Sequence, residues 1–352
     1  MSDTNPSDPP AIYLDHAATT PLFPAARDAV LRGLEQWANP SSPHAAGRRA
    51  KAALEDARGR IAAALGWTGS VIFTSGASEA IAIVMHQVKA ARLLAGATEH
   101  DSVLRHAGGK AAIAVDSNGR ALPEEVDLAD ALVAIQHVNN ETGVIQPVDV
   151  LAPEIRAGGG LWLCDCAQSA GKLPLPDADF IAVGAHKLGG PIGVGALLVR
   201  DLAKLHAGGG QELGYRGGTE NLPAILGFAA ALEQPHDWLA EMSAMRQRLD
   251  ETITQLGGAV VGAAAPRIPT IGSYRMPGVS ARAQLIRFDS AGLAVSAGSA
   301  CSSGTLKTSP VLAAMGWDDR AASEVVRVSF GWNTTSADVD AFIDQWRRIA
   351  QL

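Results

Sequence analysis

The sequence predicts an α/β fold, with a mostly parallel sheet in a large domain and a smaller α/β domain towards the C-terminus. Three observations carry this. Short β-branched apolar runs alternate with helical stretches from Ser70 onward. Several of these runs end in a small polar turn rather than a charged loop, as strand ends that bind ligands do. And with 352 residues, 47% hydrophobic and 18% charged, the chain can bury more than one core.

The elements follow in order. Ala11–Leu14 reads as a short extended segment after a polar, Pro-rich tail, MSDTNPSDPP. Pro24–Trp37 and about Ser42–Leu65 have helical spacing, the second ended by Gly66. Ser70–Thr74 (SVIFT) is a strand, SGAS a turn, and about Glu79–Leu94 a helix. Ala111–Val115, Ala131–Val138, Leu161–Cys164, Phe180–Val183 and Gly193–Val199 are further strand candidates. The last two are joined by a loop too short for a crossover helix, so one of them is expected to run antiparallel. Leu226–Leu256 reads as largely helical. Beyond it come strands at Pro269–Met276, Leu293–Ser296 and Val325–Phe330, with helices at Ala281–Phe288 and Ala337–Ile349. We expect residues 13–236 to form the large domain, and 1–12 with 237–352 the small one.

Composition removes several function classes. With 29 Lys plus Arg against 36 Asp plus Glu, the net charge of -7 leaves no basic footprint for nucleic acid and no polybasic anchor for lipid. No apolar run is long enough to cross a bilayer, and the N-terminal residues fit neither a signal nor a transit peptide, so a cytoplasmic protein is expected. Three cysteines do not make a disulfide framework. Cys164 and Cys166 lie in an apolar stretch and read as core thiols, whereas Cys301 lies among Ser, Gly and Ala. No His/Cys spacing suggests a metal, and GGPIGVG (189–195) leads into a strand, so it is not a dinucleotide loop.

Chemistry is expected at the strand ends. Ser75-Gly76-Ala77-Ser78-Glu79 opens a helix with residues small enough to let backbone N–H groups reach a phosphate; it also reads as a plain strand-to-helix turn. Asp165 follows one strand and Lys187 another; separately, they read equally well as a helix cap and a surface lysine. Together they match what pyridoxal 5′-phosphate requires: a lysine for the Schiff base, an acid for the pyridine nitrogen and an anion site.

The strings HAATT (16–20), FTSGASEA (73–80), TEH (98–100), HVNNETGVIQP (137–147), DCAQSAGK (165–172), AHK (185–187), RGGTEN (216–221), SAGSACSSG (296–304) and VRVSFG (326–331) resemble the cysteine desulfurases of the NifS/IscS type, in the class V aminotransferase group. The resemblance implies a PLP-dependent transferase of fold type I, with catalytic roles for Lys187, Cys301 and His100. Ala77, Ser78, Gly184, His186 and, from a neighbouring subunit, Thr219 would serve the phosphate. Asp165 would pair with the pyridine nitrogen, Gln168 with the ring hydroxyl, and His100 would stack on the ring. Asn140 would contact the cofactor and, with Arg327, hold the substrate, L-cysteine. Cys301 would accept its sulfur as a persulfide, leaving L-alanine, for delivery to a protein acceptor in iron–sulfur, thio-cofactor or tRNA biosynthesis. A homodimer is implied and no metal.

Gly184-Ala185 stands where the family usually has a hydroxyl residue and Gly, and Lys307-Thr308 where Glu-Pro is common. The chain reaches Leu352 without the C-terminal extension by which some members dock a scaffold. The rival readings are a selenocysteine or cystine lyase, another class V enzyme, or a non-catalytic scaffold homologue.

Overall fold

The computed structural model describes residues 12–108, 112–235, 237–298 and 309–351. The chain divides into two compact units. One comprises Thr19–Asn139 and Ile145–His236, the other Met1–Ala18, Asn140–Val144 and Asp237–Leu352.

The first unit is built on a six-stranded sheet of β1 (Ser70–Thr74), β2 (Arg92–Ala95), β3 (Ala131–Ala134), β4 (Leu161–Asp165), β5 (Phe180–Gly184) and β6 (Gly195–Val199), in the order β1-β6-β5-β4-β3-β2. Strands β2 to β5 are parallel, and β6 runs antiparallel to both β5 and β1. The short connection between β5 and β6 enforces this reversal, as the sequence predicts. Two reversals restore direction, so β1 runs the same way as β2 to β5. The C-terminal ends of all five therefore lie on one edge of the sheet. Leu132, Leu163, Phe180, Ala182 and Leu197 pack with Ile81 and Val84 of the Ala77–Gln87 helix in a core that holds the sheet flat against that helix. At roughly 1.5–3 kcal/mol per buried aliphatic or aromatic side chain, such a core outweighs what any single surface ion pair contributes.

Glycines bring the reversed strand close. A Cβ at Gly195 would meet Gly76 Cα at 2.7 Å and collide with Val183 O. Only glycine lets β6 pass beside the turn that opens the Ala77–Gln87 helix.

The second unit holds a three-stranded antiparallel sheet, in the order Val325–Ser329, Ile271–Arg275, Ala259–Val260, and a short parallel pair, Ile12–Tyr13 with Leu293–Ala294. Helices Trp238–Gln255, Ala281–Asp289 and Ser336–Ala350 supply its core. There Phe288 stacks on Phe342 at 4.8 Å and Tyr274 meets Trp346 edge-on at 6.4 Å. The Ser336–Ala350 helix starts with a reciprocal cap, Thr335 bonding to the Asp338 backbone and the Asp338 carboxylate to that of Thr335. Val339, Phe342, Ile343, Trp346 and Ile349 then recur at helical spacing along its buried face.

Three expectations need correction. The helix expected to run to Leu94 stops at Gln87, and Arg92–Ala95 is the edge strand β2. Arg-Leu-Leu-Ala favours helix locally, but Val88 is extended and pairing with β3 decides the outcome. The Ala111–Val115 strand is absent among the described residues, where only isolated bridges, Gly96 with Ile113 and Val115 with Ala121, remain. The long helix expected over Leu226–Leu256 is two, Leu222–Leu232 and Trp238–Gln255, interrupted near Pro235, which disfavours helix in the residue before it. No helix among the described residues is long and apolar enough to cross a membrane.

Candidate active site

The common edge of the first unit's sheet gathers most of the expected residues. After β1, Gly76 adopts φ 155°, ψ 178° and precedes the Ala77–Gln87 helix with no side-chain cap. The N–H groups of Ala77 and Ser78 thus begin a helix whose positive end is left to an anion. Glu79, in the same turn, is committed elsewhere: it accepts from Ser75 N–H at 2.5 Å and from Arg216 at 3.1 Å. Burial opposes its ionisation, but the Ser75 and Arg216 bonds hold the carboxyl below its usual range. Gly184, at the end of β5, lies beside this helix start: a Cβ there would sit in ordinary contact with Ala77 N, at 3.5 Å.

One residue on, the chain makes a tight turn, Ala185–Lys187. It is tied down from the N-terminal side, where Thr20 N–H donates to His186 O at 2.8 Å and the Thr20 hydroxyl to Lys187 O at 3.3 Å. His186 Nδ1 meets the Thr19 hydroxyl at 3.3 Å. Burial, and then the Lys187 charge, lower His186 to about 4, which keeps the ring neutral at pH 7.

Asp165 ends β4, with its Oδ1 accepting from Ala167 N–H at 2.8 Å, and Gln168 follows, buried. His100 comes from the loop after β2. Its Nδ1 accepts from Ser102 N–H at 3.1 Å, so in the neutral ring the proton sits on Nε2. Burial lowers its pKa, against the pull of the Asp165 carboxylate. Thr219 stands exposed in the turn before the Leu222–Leu232 helix.

Sequence reasoning missed two groups here. Glu99 is buried, accepts from Gln136 N–H at 2.8 Å, and is pushed well above the usual carboxyl range by burial, with the Asp165 charge adding to it. Lys172 is half-buried, and burial together with Lys187 lowers it to about 7. Both lie inside quoted motifs; the small residues before Lys172 were the available signal there, whereas Glu99, between Thr98 and His100, offered none. Cys164 and Cys166 are fully buried, their sulfurs 3.8 Å apart, and burial pushes Cys164 well up.

In the second unit, Arg327 lies on the Val325–Ser329 strand and is 4% exposed. Its Nη2 pairs with Asp15 at 2.8 Å and its Nη1 donates to Asn140 O at 2.9 Å. Its Nε is buried with no hydrogen-bond partner among the described residues. A desolvated guanidinium N–H left unmatched is costly alone and suited to a carboxylate. Cys301 lies outside the described residues. Among those residues, no group of three or more His, Cys, Asp or Glu is placed to hold a metal ion.

The aminotransferase class-V family model matches residues 12–342. The chain belongs to the aminotransferase class-V family. A cysteine desulfurase of Gluconacetobacter diazotrophicus is 35% identical, over 95% of this chain and 92% of its own. Among solved structures, a NifS-like protein from Rickettsia africae aligns with TM-score 0.85 and 29% identity, over 97% of this chain and all of that one. A protein named SspA, in complex with cysteine, aligns with TM-score 0.76 and 27% identity, over 90% of this chain and 98% of its own. The family's PLP fold type I agrees with the mixed, mostly parallel sheet found here.

An aromatic cofactor carrying a phosphate fits the edge on this structure's own terms. The uncapped helix start at Ala77 and Ser78, with Gly184 beside it, is a cradle for an anion. Asp165 and Lys187 then supply the acid and the amine from adjacent strands.

Proposed function

We propose that this protein is a cysteine desulfurase that binds pyridoxal 5′-phosphate, converts L-cysteine to L-alanine, and receives the sulfur on Cys301 as a persulfide. The observation that carries the reading is the single sheet edge that gathers the Ala77–Ser78 helix start, His100, Asp165, His186 and Lys187. The first unit is then the cofactor-binding domain, and the second carries the substrate residues and Cys301.

Bound there, the cofactor supplies an electron sink that loosens the bonds at the substrate Cα. The residues divide the remaining work. Ala77, Ser78 and His186, beside Gly184, hold the phosphate. Asp165 would keep the ring nitrogen protonated and Gln168 would bond the ring hydroxyl. The Lys187 amine would hold the cofactor and would move the proton at the substrate Cα. The neutral His100 ring, with its proton on Nε2, would lie against the cofactor and assist that transfer. Arg327 pairs with the substrate carboxylate through its unmatched Nε, joined by Asn140. The Cys301 thiolate attacks the substrate sulfur: an S–S bond forms, the Cβ–S bond breaks, and its electron pair stays with the carbon skeleton, which takes up a proton and leaves as alanine.

In this reading the protein works as a cytoplasmic homodimer, exposed Thr219 completing the phosphate site of a second copy. The persulfide passes to a protein acceptor in iron–sulfur, thio-cofactor or tRNA biosynthesis.

The test combines absorbance with mass spectrometry. Pure holoenzyme given L-cysteine should yield alanine and a persulfide mapped to Cys301. Lys187→Ala should lose both the visible absorbance and the activity, whereas Cys301→Ala should keep the absorbance and stop sulfur transfer. Sulfur release that survives Cys301→Ala would move the assignment to a selenocysteine or cystine lyase. A colourless protein that gains no absorbance with cofactor would make it a non-catalytic homologue.

A further inference from the structure

Residues 140 and 141 are gripped from one rung of the second unit's sheet. Arg327 and Ser273 face each other across the paired strands. Arg327 Nη1 donates to Asn140 O at 2.9 Å, and the Ser273 hydroxyl to Glu141 O at 2.7 Å. The backbone of this dipeptide is therefore fixed by the same strand pair that presents the Arg327 guanidinium.

The Glu141 side chain extends from that fixed backbone into a buried position, only 6% exposed. Its Oε2 accepts a 2.5 Å hydrogen bond from the Ser309 hydroxyl, itself buried. The same carboxylate lies against Gly298: a Cβ there would come within 2.7 Å of Glu141 Cδ and would collide with Oε2. Position 298 has to be glycine if the carboxylate is to stay. Gly298 and Ser309 flank Cys301 in the sequence. Nearby, Ser296 exchanges two backbone hydrogen bonds with Arg327, at 2.7 and 3.1 Å. Ser309 also caps the Pro310–Ala314 helix through Leu312 N–H, so its hydroxyl is held at both ends. Burial raises the Glu141 pKa, and the Ser309 hydrogen bond and the Arg327 charge counter that only in part. A leucine or methionine would fill that space at lower cost, so the carboxylate needs a role beyond packing.

We propose that Glu141 is a positioning residue, which fixes the chain on both sides of Cys301 relative to the strand bearing Arg327. This deepens the desulfurase reading and rests on it: the nucleophile and the substrate anchor are referred to one carboxylate and one strand pair. A reacting atom displaced by about 1 Å can cost roughly 10²-fold in rate. Losing Glu141 should therefore act on the transfer step rather than on substrate binding.

The experiment uses holoenzyme variants Glu141→Ala, Ser309→Ala, Ser309→Thr and Gly298→Ala. Glu141→Ala and Gly298→Ala should lower kcat for persulfide formation by about 10²-fold. Ser309→Ala should lower it by about 10-fold, the effect of one hydrogen bond to a charged group. KM for L-cysteine and the cofactor's visible absorbance should hold in all of them. Ser309→Thr, which keeps the hydroxyl, should restore the rate. Alkylation of Cys301 by iodoacetamide, followed by mass spectrometry, needs no turnover and should rise about 10-fold in Glu141→Ala, since its flanks are released. Parent-like kcat in Glu141→Ala and Ser309→Ala, a change in KM alone, or alkylation that stays level or falls would each overturn the proposal. If Glu141→Ala does not fold, the Ser309→Ala and Ser309→Thr pair decides. If the parent makes no persulfide, the desulfurase reading fails, while alkylation still tests the positioning role.

Discussion

The two units present their functional side chains in opposite ways. In the sheet unit each residue is delivered by its own strand: Asp165 ends β4, Lys187 follows β5, and Ala77 follows β1. Short-range hydrogen bonds then orient them, as Ala167 N–H does for Asp165 and Ser102 N–H for His100. In the C-terminal unit nothing local suffices. Arg327 is oriented by Asp15, 312 positions away in sequence, and by Asn140, 187 positions away. Parallel strands with helical crossovers bring chain-local signals to one edge, whereas an anchor built from distant segments exists only once all of them have packed.

Breaking the long-range anchor should give the largest effect. Arg327→Lys replaces a planar fork by a point charge, which cannot hold Asp15, the Asn140 carbonyl and a substrate carboxylate together. KM for L-cysteine should rise roughly 10- to 100-fold, the worth of one charge-assisted hydrogen bond or slightly more. The visible absorbance of bound cofactor should remain unchanged. Absorbance titrations alongside steady-state kinetics check this; a variant that loses cofactor instead would show that the two sets of residues are not separable.

The same contrast explains what the sequence disclosed. Ser70–Thr74 is a strand because five β-branched, aromatic or hydroxyl residues stand between a glycine and a small turn, and that information is local. The reversed β6 was legible because seven residues between Lys187 and Gly195 leave no room for a crossover helix. Arg92–Ala95 was not, since its residues favour a helix and only pairing with β3 overrides them. Asp15 and Glu141 were quoted or passed over without a role: the acid at 15 acquires meaning only beside Arg327, and the one at 141 only beside Gly298 and Ser309. Glu99 shows the same limit within the sheet unit, where burial rather than sequence neighbours sets its protonation.

A smaller effect separates the units by pH. Lys172 has its ammonium lowered to about 7 from an ordinary 10.5, first by burial and then by Lys187. Between these values the unfolded chain holds a proton that the folded protein lacks, so stability should climb as pH rises through that window. Below about 7 both states are protonated and the penalty is complete. Urea unfolding of cofactor-free protein at about pH 6.5 and about pH 9.5 should show the climb, and Lys172→Met should flatten it by stabilising the low-pH end most. An unchanged slope in the variant would place the proton linkage elsewhere in the chain.

The smallest effect concerns stability alone. Thr335 starts the Ser336–Ala350 helix through the cap it shares with Asp338, accepting from Asp338 N–H at 3.3 Å while its own N–H donates to Asp338 Oδ2 at 2.8 Å. The exposed cap includes no residue assigned to chemistry, yet the helix it starts carries Phe342 and Trp346 into the C-terminal unit's core. Thr335→Ala should cost about 1 kcal/mol, read as a lower thermal midpoint, with kcat and KM at parent values. Asn221→Ala in the sheet unit removes the side chain that accepts from Ala224 N–H at 3.3 Å and should cost a similar amount. A cap is a local device in either unit, so equal costs are expected. A Thr335→Ala penalty several times larger than that of Asn221→Ala would mean that the helix start also holds the packing on which Arg327 depends, and KM for L-cysteine would then rise with it.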